Sequence, residues 1–108
     1  MSAVHVTEAE SELLEALWRC GPLPPAALFE EVRRRRPWGV ATIKTLLARL
    51  IHKRAVRPER QDGRLAYHPA ISREAFVAHE VDALVRRLFE GDATKLAQFL
   101  DERRSAKR

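Results

Sequence analysis

Cysteine is nearly absent from this sequence, which has only Cys20 among its 108 residues. A single thiol cannot form a disulfide within the chain, a pattern typical of proteins from a reducing compartment. Cys20 falls in the last turn of a predicted apolar helix, so we expect a packed or inert thiol rather than a redox sensor. A fold held together by internal disulfides is therefore excluded.

Histidine and glycine are also sparse, and neither forms a recognisable motif. The four histidines are scattered, with no pair at i, i+4 and no cysteine nearby that would complete a metal site. The four glycines stand apart at positions 21, 39, 63 and 91, so the chain has no glycine-rich phosphate loop. His79 and Glu80 are adjacent and point in different directions on a helix, so no nucleophile, base and orienting group come together. These absences predict no enzyme, no metal and no cofactor.

Long hydrophobic runs are missing as well. No apolar stretch reaches the 18 residues or so that a membrane span requires. The N-terminal segment contains Glu8, Glu10 and Glu12 and lacks the basic-then-apolar order of a signal peptide. We therefore expect a cytoplasmic protein with no membrane insertion.

Positive charge is what the sequence has in excess. Lysine and arginine number 20 against 15 aspartates and glutamates, which gives a net charge of +5 and a pI near 10.1. This balance favours an anionic partner, although charge alone does not separate DNA from RNA, an acidic protein or a membrane surface. The length suits one compact domain with an appendage.

The segment from Thr42 to Lys53 predicts a helix with one apolar stripe and one small, cationic face. Its leucines and isoleucines recur at i, i+3, i+4, i+7 and i+8, the spacing of a helix that lies on a core. At about 100° per residue, positions 41, 45, 48 and 52 point away from that core. Small residues there would allow close approach to a major groove, with cations reaching phosphates at its edges. The alternative is an ordinary solvated helix face.

Two further helices precede this segment. Thr7 and Glu10 form a capping box that begins the first helix, and Gly21 is placed to end it. Pro25 suits the first turn of the second helix, which ends before Pro37 in a run of four arginines. We leave open whether this arginine run contacts phosphates or is only a solvated charge cluster. The third helix, at about residues 40 to 54, follows a short turn, as a helix-turn-helix requires.

The pattern then changes to a period of two. Residues 56–60 and 65–68 predict paired strands around the Asp62-Gly63 turn, and Pro58 restricts the first strand to a sheet edge. Three helices followed by a basic hairpin predict a winged helix-turn-helix in residues 1–70. The candidate DNA-contacting residues are Ala41, Thr42, Lys44, Thr45, Ala48, Arg49, His52 and Lys53 on the third helix, and Arg57, Arg60 and Arg64 on the hairpin.

Residues 71–108 predict a long helix from Ser72 to about Glu90 and a second helix after Gly91-Asp92. Their apolar stripes follow a winged unit that is already complete, so we expect them to pack against a second copy of the chain. The alternative is that they fold back on their own domain. We expect the basic tail from residue 101 onward to fray. The candidate dimerisation residues are Phe76, Val77, Val81, Leu84, Val85, Leu88, Phe89, Leu96, Phe99 and Leu100.

The fold class predicted from these patterns is mainly α with a small β-hairpin: a winged helix-turn-helix followed by a C-terminal helical dimerisation region. From about Thr7 to Glu102, the order of motifs resembles the penicillinase-repressor family. The residues that carry this resemblance are Thr7-Glu8-Ala9-Glu10, the Leu17-Trp18 pair, Gly21-Pro22-Leu23, Trp38, the segment from Thr42 to Leu50, Asp62-Gly63-Arg64, Tyr67 and the segment from Lys95 to Leu100.

The resemblance implies a dimeric winged-helix repressor on a palindromic operator, often with TACA/TGTA-like half-sites, in front of a β-lactamase or related gene. By matching positions, Thr42, Lys44, Thr45 and Arg49 would be recognition-helix contacts and Arg64 a wing contact. The family is typically relieved by a membrane sensor protease that cuts an Asn-Phe bond. The corresponding pair here is Gln98 and Phe99, a departure that puts proteolytic induction in question.

Three other departures affect our expectations. Arg54 stands where the family usually has a glycine in a left-handed conformation, which would cost about 1 kcal/mol if the backbone is kept. Pro24 replaces the usual Ser or Thr cap of the second helix. The sequence also ends before an additional helix that many relatives carry, so we expect a smaller dimer surface, and it lacks the cysteine cluster of copper-responsive relatives.

Two hypotheses from different classes follow. The first is a sequence-specific DNA-binding transcriptional repressor that acts as a homodimer. The second is a winged-helix module that binds a protein partner without specific DNA binding, since one fold hosts many functions.

Overall fold

A computed structural model describes residues 5–106 of the chain. The chain divides into two compact units, one ending at Arg73 and the other beginning at Glu74. The first unit contains three helices and a two-stranded hairpin, and the second contains two helices, so the predicted winged helix-turn-helix fold is confirmed. The elements are α1 (Glu8–Cys20), α2 (Pro25–Arg33), α3 (Val40–His52), β1 (Val56–Gln61), β2 (Arg64–Pro69), α4 (Arg73–Leu88) and α5 (Ala93–Ala106).

The capping box at the start of α1 is formed as predicted. The Thr7 hydroxyl accepts from the Glu10 amide, and a Glu10 carboxylate oxygen accepts from the Thr7 amide, both at 3.1 Å. Gly21, with φ of 84°, donates its amide to the Leu17 carbonyl and ends the helix. The prediction of a packed Cys20 is wrong, because the thiol is exposed on the outer side of the last turn. The apolar periodicity of α1 buries Leu13, Leu14 and Leu17, and position 20 falls outside that stripe.

Residues 34–39 connect α2 to α3, which completes the helix-turn-helix. Pro25 occupies the first turn of α2, and neither the Pro24 cap of α2 nor the Gly39 cap of α3 makes a side-chain capping bond. In α3 the apolar stripe is turned inward: Ile43 and Leu50 are fully buried, and Leu46 and Leu47 nearly so. These side chains share the core with those of α1 and with Leu28 and Val32 of α2.

The last turn of α3 ends in a Schellman motif around Arg54. The Ala55 amide donates to the Leu50 carbonyl at 2.9 Å, and the Arg54 amide donates to the Ile51 carbonyl at 3.0 Å. Arg54 itself has φ of 64°, the left-handed conformation that favours glycine. The helix therefore ends two residues earlier than the predicted position 54, and the backbone turns directly into β1.

The hairpin pairs β1 and β2 antiparallel, from Val56 opposite Pro69 to Gln61 opposite Arg64. Asp62 and Gly63 form its two-residue turn, and both have positive φ, as a primed hairpin turn requires. The free edge of β2 pairs with Leu23, whose backbone exchanges two hydrogen bonds with Tyr67. The hairpin is therefore attached to the segment between α1 and α2, and Pro58 lies in β1, the strand at the outer edge.

In the second unit, Asp92 caps α5 by accepting from the Thr94 amide at 2.9 Å. The Phe89 and Phe99 ring centroids lie 5.8 Å apart, so the residue that follows α4 packs against the middle of α5. The predicted fraying is wrong for residues 101–106, which continue α5. Strong helix formers and the Arg103 guanidinium, which lies 5.8 Å from the Phe99 ring centroid, account for this. Residues 107–108 lie outside the described part of the chain.

The stripes of α4 and α5 are only partly exposed. Val85, a predicted dimerisation residue, is 7% exposed in the single chain and so has little surface left for a partner; its role in a dimer stays a prediction. Phe76, Leu84, Phe89 and Leu96 are half-buried. The remaining five predicted residues are exposed: Val77, Val81, Leu88, Phe99 and Leu100.

Candidate nucleic-acid interface

The exposed face of α3 consists of small and basic side chains. Because Ile43 and the three leucines of this helix are buried, its period of 3.6 residues leaves the positions on the opposite face in solvent. We call this set the α3 surface, and it consists of Ala41, Thr42, Lys44, Thr45, Ala48, Arg49 and His52, all of which are exposed. Seven of the eight predicted contact residues on this helix are therefore placed where a ligand could reach them.

The α3 surface keeps its cations unpaired. Within residues 5–106, neither Lys44 nor Arg49 has a carboxylate partner at salt-bridge distance, so both charges are available to an external anion. The Thr45 hydroxyl donates to the Ala41 carbonyl at 3.1 Å, which occupies its proton and leaves the methyl group and the oxygen lone pairs for a partner. The Thr45 methyl group could contact a thymine methyl, and the two unpaired cations could contact phosphates.

The hairpin places three arginines in solvent, with different degrees of availability. Arg64, at the start of β2, has no carboxylate partner in the described part of the chain. The Arg60 guanidinium donates to the Gly63 carbonyl at 3.3 Å, and the Arg57 Nε lies 3.6 Å from a Glu59 oxygen. Exposed contacts of this kind contribute little energy and are easily exchanged for a phosphate.

Lys53 has an internal ion-pair partner. Its Nζ lies 2.6 Å from Oε1 of Glu10, whose side chain is 1% exposed, whereas the Lys53 side chain is 28% exposed. The ammonium is therefore held by an internal carboxylate in the free protein, and a phosphate contact by Lys53 stays a prediction.

The arginine run after α2 is divided between two roles. Arg34 pairs with Glu31 at 3.2 Å, and Arg36 pairs with Glu12 at 2.9 Å and stacks over Trp38, 5.4 Å from the ring centroid. The Arg34 pair is local to the end of α2, whereas the Arg36 pair ties the connection between α2 and α3 to α1. Arg33 and Arg35 are exposed and have no carboxylate within salt-bridge distance among residues 5–106, so they remain available to a phosphate.

Sequence reasoning assigned Glu10 only to the cap of α1 and missed its second partner. Burial of the carboxyl group by itself would raise the pKa of Glu10. The hydrogen bonds from Lys53 and from the Thr7 amide, together with the charges of Lys53 and Arg49, lower it, and the net pKa lies below the ordinary glutamate value. Glu10 is thus ionised and buried, and no local pattern joins it to a residue 43 positions away.

No cluster of three or more metal-ligating side chains occurs among residues 5–106. In the same range, no helix combines the length and the hydrophobicity needed to cross a bilayer.

A model of the penicillinase repressor family matches residues 6–108 of the chain. The chain is 23% identical over 87 residues to the penicillinase repressor of Bacillus licheniformis, an alignment that covers 81% of this chain and 68% of that protein. It is also 30% identical over 63 residues to an uncharacterised 16.5 kDa protein from the ptsI 3′ region of Latilactobacillus sakei, covering 58% of this chain and 43% of that protein.

Two solved structures are similar to 68% of the chain. One is the solution structure of the DNA-binding domain of the repressor BlaI, with a TM-score of 0.59, 26% identity and 90% of that domain covered. The other is monomeric Bacillus licheniformis BlaI in complex with the blaP half-operator, with a TM-score of 0.61, 25% identity and 92% covered. The chain therefore belongs to the penicillinase repressor family, whose members are DNA-binding transcriptional repressors rather than enzymes.

Proposed function

We propose that this chain represses transcription by binding double-stranded DNA through the α3 surface and the hairpin. The observation that carries the proposal is the α3 surface itself: small side chains flanked by the unpaired cations Lys44 and Arg49, on a helix whose opposite face is buried. A helix of this kind fits a major groove, where threonine methyls meet thymine and basic side chains meet guanine or phosphate. The similarity to BlaI, whose structure was solved in complex with the blaP half-operator, supports DNA as the partner.

The hairpin contributes a second, sequence-independent contact. Arg57, Arg60 and Arg64 are exposed on its two strands, and a wing in this position lies over the backbone next to the groove that α3 occupies. Arg64, which has no carboxylate partner within residues 5–106, is the arginine we expect to contribute most. Phosphate contacts of this kind fix the register of α3 on the duplex without reading bases.

The repressor acts as a homodimer on a palindromic operator. Five apolar side chains of α4 and α5 remain exposed in the single chain, and self-association would bury them. Two linked units would read half-sites about one helical turn apart, or a multiple of that distance, and gain affinity from simultaneous binding. The target is the promoter of a β-lactamase gene or of a related resistance or stress gene. The repressor binds it in the cytoplasm.

Induction by a membrane sensor protease would cut α5 between Gln98 and Phe99. Both side chains are exposed, which supports access to this bond. The bond lies inside a regular helix, so cleavage requires local unwinding of α5.

Salt-dependent binding to the protein's own upstream DNA tests the proposal. A dimer that neutralises about 6 to 10 phosphates should lose about 10³ to 10⁵ in affinity between 50 and 200 mM salt. Lys44→Ala should weaken binding to this upstream DNA and leave the far-ultraviolet circular dichroism unchanged. The matched control is Lys95→Ala, which removes the same charge from α5, where Lys95 pairs with Glu90, and should have little effect on DNA affinity.

Two results would contradict the proposal. Binding without salt dependence would mean that phosphates are not the partner. Absence of any specific retardation at low salt would favour a protein-binding module instead. Loss of the fold in the Lys44 variant would assign that side chain a structural role.

A further inference from the structure

Glu10 is the only buried charged residue among residues 5–106, and one of its oxygens connects two elements. Oε1 accepts from the Thr7 amide at 3.1 Å and lies 2.6 Å from Nζ of Lys53. Thr7 is the N-cap of α1, and Lys53 is the C-cap of α3. A single carboxylate oxygen therefore joins the first turn of one helix to the last turn of the other.

Because Lys53 lies between the α3 surface and the start of the hairpin, this contact affects the position of both proposed DNA-binding elements. On one side of Lys53 lies the α3 surface, with Arg49 one turn earlier. On the other side lie Arg54, in its left-handed conformation, and Ala55, which is fully buried and leads into β1. A contact that fixes Lys53 thus fixes the end of α3 and the start of the hairpin together.

The apolar contacts of α3 do not supply this restraint on their own. Hydrophobic burial is non-directional, so the free energy it contributes does not depend on one particular pair of atoms staying in contact. A buried carboxylate is different, because losing its partner leaves an ionised group in a region from which water is excluded. The Glu10–Lys53 pair therefore disfavours arrangements in which α3 is rotated away from its observed orientation.

We propose that Glu10 and Lys53 are positioning residues for DNA recognition, and that Lys53 acts through Glu10 rather than by contacting a phosphate. The proposal rests on the DNA-binding function proposed above. The pair fixes the orientation of the α3 surface relative to the hairpin arginines. Both elements can then contact one duplex at the same time.

The test uses duplexes that the wild-type protein selects from a random-sequence pool, compared with unselected duplex of the same length. Lys53→Met keeps most of the aliphatic length but removes the charge. Misorientation of α3 should lower affinity for selected duplex about tenfold, comparable to one mismatched base pair, and change affinity for unselected duplex less than about twofold. The slope of log K against log salt should stay constant. Loss of a phosphate contact would instead reduce that slope by about one for each bound copy of the chain, and so by about two for the proposed dimer, as expected for Lys44→Ala.

Glu10→Gln provides a second variant. The positioning role predicts a decrease in its DNA affinity, whereas the loss of a negative charge alone would predict an increase. The amide oxygen still accepts from the Thr7 amide, so the cap of α1 is retained. Removal of a negative charge should tighten binding to DNA if charge alone matters. The positioning role predicts weaker binding to selected duplex, and it predicts that Lys53→Met has little further effect in the Glu10→Gln background. Circular dichroism and urea unfolding establish that each variant is folded at the assay temperature.

Tighter operator binding by Glu10→Gln, or a salt slope reduced by about one per bound copy of the chain in Lys53→Met, would overturn the positioning proposal while leaving the repressor function intact. Additive effects of the two substitutions would also overturn it. If the wild-type protein selects no sequence at all, the repressor function fails and the positioning role fails with it.

Discussion

Replacing Arg54 by glycine should stabilise the protein, because Arg54 occupies a left-handed backbone position with φ of 64°. An L-residue with a Cβ atom pays roughly 1–2 kcal/mol for this conformation, whereas glycine adopts it freely. Glycine also makes the unfolded chain more flexible, which offsets about 0.4–1 kcal/mol of the gain. The net expectation is an increase of about 1 kcal/mol in the free energy of unfolding.

The local structure supports this magnitude. Both hydrogen bonds of the Schellman motif, from Arg54 and Ala55 to the last turn of α3, use backbone atoms that a glycine retains. The Arg54 side chain is exposed and has no ion pair with any described residue, so its loss should change stability by no more than about 0.5 kcal/mol.

Arg54→Ala is the matched control, because it removes the same side chain and charge but keeps the Cβ atom. Urea unfolding followed by tryptophan fluorescence is a suitable assay, since the two tryptophans of the chain, Trp18 and Trp38, both lie in the first compact unit. The glycine variant should exceed the alanine variant by about 1 kcal/mol, or by roughly 4–8 °C in Tm. Equal stability of the two variants would refute the argument from backbone strain.

Two further predictions concern acid stability and self-association. Because the pKa of Glu10 is lowered in the folded state, its contribution is complete above the ordinary glutamate pKa of about 4.3 and is lost as the pH falls through the folded-state value. Urea unfolding at a series of pH values should therefore show a steeper acid loss for the wild type than for Glu10→Gln, and parallel curves would contradict this. Val81→Asp should dissociate the proposed dimer in sedimentation equilibrium, because it places a charge on an apolar side chain that is 41% exposed in the single chain. Arg86→Asp, at an exposed polar position of α4, should not, and a wild type that stays monomeric at all concentrations would refute the dimer.

The features that could be predicted from the sequence are those whose physical cause is local. The capping box needs only residues 7 and 10, and the hairpin turn needs only the positive φ that Asp-Gly tolerates. The apolar period of α3 predicts its buried face. The positions outside that period predict the seven residues of the α3 surface. The resemblance to the penicillinase repressors, confirmed by the family match, rests on the order of these same local motifs.

Errors arose where a local pattern was compatible with more than one environment. The tail from residue 101 lacks apolar residues, yet its helix-forming residues and the contact between Arg103 and Phe99 extend α5 to Ala106. Cys20 follows an apolar helix but falls on its outer side.

The amino-acid sequence alone predicts the order of the helices and strands, the residues that line the core, and the basic, small-residue face of α3. These follow from periodicity and backbone preference, which act over a few residues. Three long-range contacts could not be predicted in this way: Lys53 turns inward to Glu10, Leu23 pairs with Tyr67, and the Trp18 indole donates to the Ile71 carbonyl. The partners in these contacts are separated by more than one element of the chain, so each pairing depends on how the helices and the hairpin pack. The sequence shows that Lys53 carries a charge, but only the packing of α1 against α3 shows that this charge pairs with buried Glu10.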